Sequence, residues 1–357
     1  MARALRAGIV GLSGIAARQP EAAAGPGMGI RLPVSHAAAY HSVPDTELVA
    51  GCDLLPERAA DFKRQWSGLL PNLRVYPDHQ AMLAAEDLDL VSVVTSDHAH
   101  AQVVVDAAEA GTRGILCEKP LATTLADADR MIAATERAGI PLLVNHTRRW
   151  MSPWLQVAGL IRDGTIGEVQ RIVASQGGPR AMLFRTGTHI CDSISWFAGA
   201  QPLAVYALPE PGLEAYGPRY TGDGGHEPAT DPALSVVIEF ENGVRAFWNM
   251  CKTMPQVFDI AIYGAKGCIT GRTFPGDEIS VTIDVGIHRL VEVPLARVQH
   301  TSGWFGGCVA ELAQLVRGGG RPSSGGRQAR TALEIMLAAL QSQARGGVRI
   351  GWPIADA

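Results

Sequence analysis

The stretch Gly8-Ile9-Val10-Gly11-Leu12-Ser13-Gly14-Ile15-Ala16 runs an apolar segment into a glycine-rich turn. In such a turn, small residues let backbone N–H groups close on a diphosphate. Read as G-x-G-x-x-G/A, the pattern begins at Gly11 and ends at Ala16, with Ser13 in the second glycine position and Gly14 directly after it. A glycine-rich strand-to-helix turn can also be purely structural, so a second element is needed. Asp53, closing Leu48-Val49-Ala50-Gly51-Cys52-Asp53, supplies one. An acidic residue at the end of a second strand accepts hydrogen bonds from ribose hydroxyls, although a turn-forming Asp would occupy the same place. Asp53 stands 37 residues beyond Ala16, where the fingerprint expects roughly 20. An insertion over about residues 18–35, rich in Gly, Ala and Pro, accounts for the excess. The expected ligand is a dinucleotide, NAD rather than NADP because a carboxylate repels a 2′-phosphate; Arg58 is close enough in sequence to keep NADP open.

Other chemistry is excluded more readily. His98 and His100 are spaced i, i+2 without an acidic cluster, so no metal is expected, and His100 reads as a helix-start residue near the cofactor. The six cysteines lie far apart without a CxxC, as reduced cytoplasmic thiols do. The chain has 357 residues, 47% hydrophobic and 18% charged, with a net charge of −4. The pI near 6.2 and the absence of a dense basic run argue against nucleic acid as a partner. No apolar run approaches the ~20 residues needed to cross a bilayer. The basic start, Met1 to Arg6, followed by apolar residues 7–17, imitates a short signal peptide but reads better as a buried first strand.

These residues require strands that deliver them to one edge. Up to residue 146, β-branched runs at 7–10, 47–52, 73–76, 90–95, 114–117 and 141–145 alternate with helical patterns at 56–66, 99–110 and 125–138, the signature of a parallel α/β sheet. Beyond residue 149 come a helix at 153–162, a strand, another helix, and strands at 234–240, 244–250, 257–263, 279–285 and 288–293. Asn242-Gly243 between two of them signals a hairpin. Helices at 304–317 and 328–345 close the chain. The expected architecture is an α/β Rossmann domain over 1–146, followed over 147–357 by an α+β domain with a large, mostly antiparallel sheet.

Three further motifs carry a resemblance. Cys117-Glu118-Lys119-Pro120-Leu121-Ala122, with Val94-Thr95-Ser96-Asp97-His98-Ala99-His100 before it and Gly187-Thr188-His189-Ile190-Cys191-Asp192 after it, resembles the glucose–fructose oxidoreductase, inositol dehydrogenase and MocA family. The likeness runs nearly end to end, through His36-Ala37-Ala38-Ala39-Tyr40, Gly164 to Val169, and Gly319 to Pro322. It implies an NAD(P)-dependent oxidoreductase acting on a secondary alcohol or ketone of a sugar, sugar derivative or cyclitol. It also implies a homodimer or homotetramer associating through the C-terminal sheet.

The resemblance distributes roles. Gly11, Ser13, Gly14, Ile15, Asp53, Thr95, Ser96, His100, Glu118 and Lys119 fall where the cofactor is bound. Hydride transfer needs a proton to leave or join the alcohol oxygen. Lys119 stabilises a developing alkoxide, His189 shuttles the proton, and Asp192, three residues on, orients the ring or touches a substrate hydroxyl. Thr188, Arg149 and Trp150 fall among substrate contacts, and Tyr220 and His226 lie in a Gly-rich segment that suits either a substrate loop or a long connection. The usual Asp-x-Gly-x-His-x-x-Asp pattern is broken by Arg185, which cannot accept a proton. Its fork suits a carboxylate or phosphate on the substrate, unless it pairs with a structural carboxylate. Two other functions share the fold: an NAD-dependent glycoside hydrolase using transient oxidation, and a non-catalytic NAD-binding regulator.

Overall fold

The computed structural model describes residues 3–19, 33–214, 216–220, 222, 227–273, 278–287, 289–296 and 304–354. The chain forms two compact units, the first made of residues 1–122, 126–151 and 301–329, the second of 123–125, 152–300 and 330–357.

In the first unit β1 (Leu5–Val10) enters the glycine turn and a single 3-10 turn, Gly14–Ala16. There follow α1 (His36–Ser42), β2 (Thr46–Cys52), α2 (Pro56–Trp66), β3 (Arg74–Tyr76), α3 (His79–Ala85), β4 (Leu90–Val93), α4 (His100–Glu109), β5 (Gly114–Cys117), α5 (Leu125–Ala138) and β6 (Leu142–Val144). The helix starts have local causes: Ser35 and Asp78 accept backbone N–H groups at the N-termini of α1 and α3, and Pro56 opens α2. The strands pair in parallel in the order β3-β2-β1-β4-β5-β6, a doubly wound sheet whose order reverses between β1 and β4. Strands β4, β5 and β6 are buried along their whole length, as parallel strands covered on both faces must be.

The expected insertion is bounded by a contact. Ser35 Oγ donates to the Arg18 carbonyl at 2.6 Å, so the ends of the segment meet; residues 20–32 lie outside the described residues. Trp66 Nε1 donates to the Ala17 carbonyl at 2.8 Å and fixes the exit of the glycine turn.

The second unit contains α6 (Ser152–Arg162), β7 (Val169–Gly177), α7 (Gly187–Ala198), β8 (Pro202–Pro209), β9 (Leu234–Phe240), β10 (Arg245–Cys251), β11 (Phe258–Gly264), β12 (Gly267–Arg272), β13 (Glu278–Asp284) and β14 (Leu290–Glu292). The chain then returns to the first unit with α8 (Trp304–Gly318), before α9 (Gly326–Ala344) and β15 (Ile350–Gly351) end it. The nine strands form one sheet, β14-β13-β12-β11-β7-β10-β9-β8-β15, antiparallel except where β10 runs parallel to β7. The Asn-Gly hairpin joins β9 to β10 as expected, with Gly243 at φ +84°. Helices α6 and α7 pack on the sheet. Fully buried Trp154 sits against Gly271, where a Cβ would come within 2.8 Å of its ring. The expected fold class is the one observed.

The return of α8 departs from a single cut after residue 146. Cys308, Val309 and Leu312 of α8 belong to the same core as Tyr40 and Trp66, and a Cβ on Gly114 would meet Val316 at 2.7 Å. The helix buries its apolar stripe against β5, so its place is with the parallel sheet.

Candidate active site

All strands of the first sheet run the same way, so their carboxyl ends gather residues distant in sequence at one edge. Gly11 follows β1 at φ +89°, and a Cβ there would lie 2.5 Å from the Val94 carbonyl oxygen. Only glycine lets the turn close on the end of β4, where the strand order reverses. Gly14, at φ +56°, has open space around it, and it and Ser13 are exposed, while Ile15 is half-buried. Asp53, after β2, is buried and accepts the Leu12 N–H at 2.9 Å and the Leu55 N–H at 3.0 Å. It therefore ties the glycine turn to β2, and each oxygen keeps lone-pair capacity for a further donor. Exposed Leu54, 79% accessible, follows it and offers no charge. Through the described residues that follow, up to 19, the turn is not continued as an α-helix, and the single 3-10 turn Gly14–Ala16 presents its N–H groups to an anion.

Thr95 and Ser96 leave β4 half-buried and exposed, and His100 opens α4. The His100 ring is fully buried, with Nδ1 3.0 Å from the Pro120 carbonyl and Nε2 3.2 Å from the Thr95 carbonyl. It clamps the loop after β4 to the loop after β5. Glu118 and Lys119, leaving β5, are both buried. Glu118 Oε1 receives Asn145 Nδ2 at 2.6 Å and faces His36 Nε2 at 3.0 Å, and Oε2 receives the Lys119 N–H at 3.2 Å. Burial pushes the Glu118 carboxyl up, but the hydrogen bond and charge of His36, the Lys119 charge and the Asn145 amide outweigh it and hold the group at about 2. Glu118 is thus a buried, ionised carboxylate attached to the backbone of Lys119.

Arg149 and Trp150 follow β6, both buried. The Trp150 indole N–H donates to Glu311 Oε2 of α8, whose Oε1 takes the Ser323 N–H at 2.6 Å. Its polar edge is therefore engaged within the first unit.

In the second unit Arg185, Thr188, His189 and Asp192 come together on the turn that opens α7. A Cβ on Gly187 would lie 2.6 Å from the Trp248 ring, so glycine lets the helix start rest on β10. Thr188 and Asp192 are buried, His189 and Arg185 half-buried. The turn is held by Asp231, fully buried, which accepts the Phe184 N–H at 3.1 Å and the Arg185 N–H at 2.9 Å. Burial, and then the neighbouring Arg185 guanidinium, lowers the Arg180 pKa from its ordinary value, with Asp231 opposing. Two guanidiniums thus share this turn. The Tyr220 ring stacks on Phe184 at 3.8 Å, and His226 lies outside the described residues.

Sequence reasoning passed over His36, Tyr40, Asn145 and Asp231. His36 and Tyr40, spaced i, i+4, share a helix face, and both reach Ser92 Oγ, at 3.0 and 2.9 Å. That spacing was the available signal. Asp231 reaches its turn from 46 residues away and left none. Among the described residues no group of three or more His, Cys, Asp or Glu side chains could hold a metal, and no helix is long and apolar enough to cross a membrane.

The sequence model of a family described as "Oxidoreductase family, NAD-binding Rossmann fold" matches residues 5–146, and that of the "GFO/IDH/MocA C-terminal domain" matches residues 154–270. The myo-inositol 2-dehydrogenase of Thermotoga maritima is 30% identical over 256 residues, 68% of this chain and 72% of that protein. The D-apiose dehydrogenase of Paraburkholderia graminis is 42% identical over 133 residues, 37% of this chain and only 34% of its own length. In fold, the chain resembles an inositol dehydrogenase homolog from Azotobacter vinelandii solved with NADH and myo-inositol, with a TM-score of 0.74 at 17% identity over 98% of both chains. The glycine turn at the β1–β4 reversal, with its exposed backbone and a carboxylate at the end of β2, fits a dinucleotide. The chain belongs to the GFO/IDH/MocA family of oxidoreductases, with an NAD-binding Rossmann fold in its first unit.

Proposed function

We propose that this protein is an NAD-dependent dehydrogenase or reductase that interconverts a secondary alcohol and a ketone on a sugar-like or cyclitol substrate carrying an anionic group. The observation that carries the reading is Lys119: a buried lysine at the carboxyl end of β5, its backbone attached to an ionised Glu118. The backbone of Gly11, Ser13, Gly14 and Ile15 would hold the diphosphate and Asp53 the ribose; Thr95, Ser96 and the loops pinned by His100 and Glu118 would line the remainder. The bound nicotinamide supplies the hydride acceptor. Lys119 then stabilises charge on the alcohol oxygen, and His189 carries the proton with Asp192 orienting it. Leu54 and Leu55 beside Asp53 offer no cation for a 2′-phosphate, which favours NAD over NADP.

Arg185 supports the anionic substrate class. An arginine beside a second guanidinium suits a carboxylate or phosphate, and Thr188 and Arg149 would add substrate contacts. Trp150 is proposed as a substrate contact through its ring, since its N–H is spent on Glu311. The reading includes a homodimer or homotetramer: one face of the second unit's sheet exposes Val173, Leu208, Phe247 and Tyr263, an apolar patch suited to association. Six free cysteines, four of them buried, fit a reducing cytoplasm.

The test follows absorbance of reduced nicotinamide with NAD and NADP against sugars, sugar phosphates, uronates, aminosugars and inositols. Lys119→Ala is expected to lower kcat by roughly 10²–10⁴-fold. Wild-type activity in that variant would sink the assignment. Tight NAD binding without net reduction of any substrate would favour the glycosidase or the regulator.

A further inference from the structure

His36 belongs to none of the groups assigned above, yet the structure invests heavily in it. Its ring is fully buried on α1, with Nδ1 3.0 Å from Ser92 Oγ, Nε2 3.0 Å from Glu118 Oε1, and the edge of the Phe305 ring at a centroid distance of 5.1 Å. Tyr40, one turn on, holds Ser92 from the other side at 2.9 Å. Neither ring nitrogen can turn away without breaking a buried contact.

We propose that His36 is a positioning residue: by bridging Ser92 and Glu118 it keeps the Glu118 carboxylate charged and fixed against the Lys119 backbone, and so favours the ammonium form of Lys119. The proposal rests on the reading of Lys119 as the group that stabilises the alcohol oxygen. Three donors converge on Glu118: His36 and the Asn145 amide on Oε1, the Lys119 N–H on Oε2. A buried carboxylate so surrounded stays ionised although burial works against it. The thiols of Cys117 and Cys308 also bear on this carboxylate, but burial pushes both well above the ordinary range and they stay neutral. Among the described residues, the charged or titratable partners left to it are His36 from α1 and Lys119 from its own loop. An ionised Glu118 can only accept, so the Asn145 amide must present its NH2 group there. Its Oδ1 is thereby turned the other way, where it is buried without a hydrogen-bond partner.

Removing the His36 donor leaves burial to dominate. Glu118 then takes up a proton, and Lys119 loses the negative charge that favours its ammonium. The chain has four lysines, Lys63, Lys119, Lys252 and Lys266, so ¹³C reductive methylation of the whole protein and an NMR titration resolve them, with Lys119→Arg assigning the resonance. Glu118→Gln and His36→Leu are each expected to move the Lys119 midpoint down by about one pH unit, an opposite charge being worth that much. The double substitution should move it no further. His36→Gln, whose amide still donates but carries no charge, should move it less than His36→Leu. If His36→Leu does not fold, His36→Asn, too short to reach Glu118, takes its place with the same expectation. A folded variant with lowered Tm but an unmoved Lys119 midpoint overturns the proposal and makes His36 a packing residue. The titration needs no substrate, so it decides the role of His36 even if Lys119→Ala proves fully active and the catalytic reading falls.

Discussion

The carboxyl edge of the parallel sheet and the turn that opens α7 hold their functional side chains by different means. At the sheet edge each residue follows a strand end, and position comes from strands buried on both faces; side-chain contacts such as His100 to Thr95 and Pro120 only lock the loops. At the α7 turn no strand delivers Arg185. A single buried carboxylate, Asp231, gathers two backbone N–H groups and sets the approach to the helix. The edge is therefore redundant, whereas the turn adds to its own backbone hydrogen bonds to Met182 one long-range carboxylate anchor, Asp231. A family fold can keep the first arrangement while changing chemistry through the second, which is where this chain carries Arg185.

The sharpest way to break that comparison is Asp231→Ala. Two N–H groups, one buried and one partly buried, would lose their acceptor, each worth about 1–3 kcal/mol, so the second unit should lose about 2–6 kcal/mol in urea unfolding while NAD binding by the first unit stays unchanged. A stable Asp231→Ala protein would show that the turn is held by its surroundings after all. At the sheet edge the comparable effect depends on pH. Glu118 lies at about 2 in the folded protein against an ordinary 4.5. Its contribution is fully present above pH 4.5 and is lost as pH falls towards 2, amounting to about 3 kcal/mol. Glu118→Gln should flatten that part of the acid limb when unfolding is followed at stepped pH. An unchanged limb would mean that the carboxylate is not held by its neighbours.

The two regions also differ in how they showed in the sequence. The edge was legible because its signals are local: a glycine turn after a buried run, an Asp at a strand end, and Glu-Lys-Pro after β5. The bounds of α2, α5, β5 and β9 follow from the same kind of signal, a proline start, glycine stops or β-branched runs. What escaped depends on distance or packing. Helix α1 reads as three alanines beside a histidine, and only its burial against Ser92 and Glu118 gives His36 meaning. Strand β12 was hidden by Gly267 and Gly271, which resemble turn punctuation but make room for close neighbours, Gly271 for the Trp154 ring. The return of α8 to the first unit is a tertiary choice that no window of sequence contains, and Asp231 is distant from the turn it builds.

Within the edge, two glycines of one motif should behave unequally. Gly11→Ala places a Cβ 2.5 Å from the Val94 carbonyl at φ +89°, while Gly14→Ala meets nothing within 4 Å and suffers only its positive φ of +56°. Costs of order 2–3 kcal/mol and about 1 kcal/mol are expected in thermal unfolding. NAD affinity, read by fluorescence quenching, should fall with the first. Equal losses would mean that the turn does not press on β4 in solution.

The smallest expected effect tests what the α7 turn is for. If Arg185 meets an anionic group on the substrate, Arg185→Ala removes a charge-assisted contact of about 1.5–3 kcal/mol, raising KM for a sugar phosphate or uronate at least tenfold while leaving kcat near its wild-type value. Neutral sugars and inositols should be unaffected, and Arg185→Asp, which restores the carboxylate of the pattern this chain departs from, should favour them over the anionic set. The KM–kcat split separates recognition from catalysis: a fall in kcat on neutral and anionic substrates alike would place Arg185 in the proton chemistry beside His189 instead. Asp231 accepts the backbone N–H groups of Phe184 and Arg185, which Arg185→Ala retains, and an altered KM with unchanged Tm and kcat is read as a lost contact and not a collapsed loop.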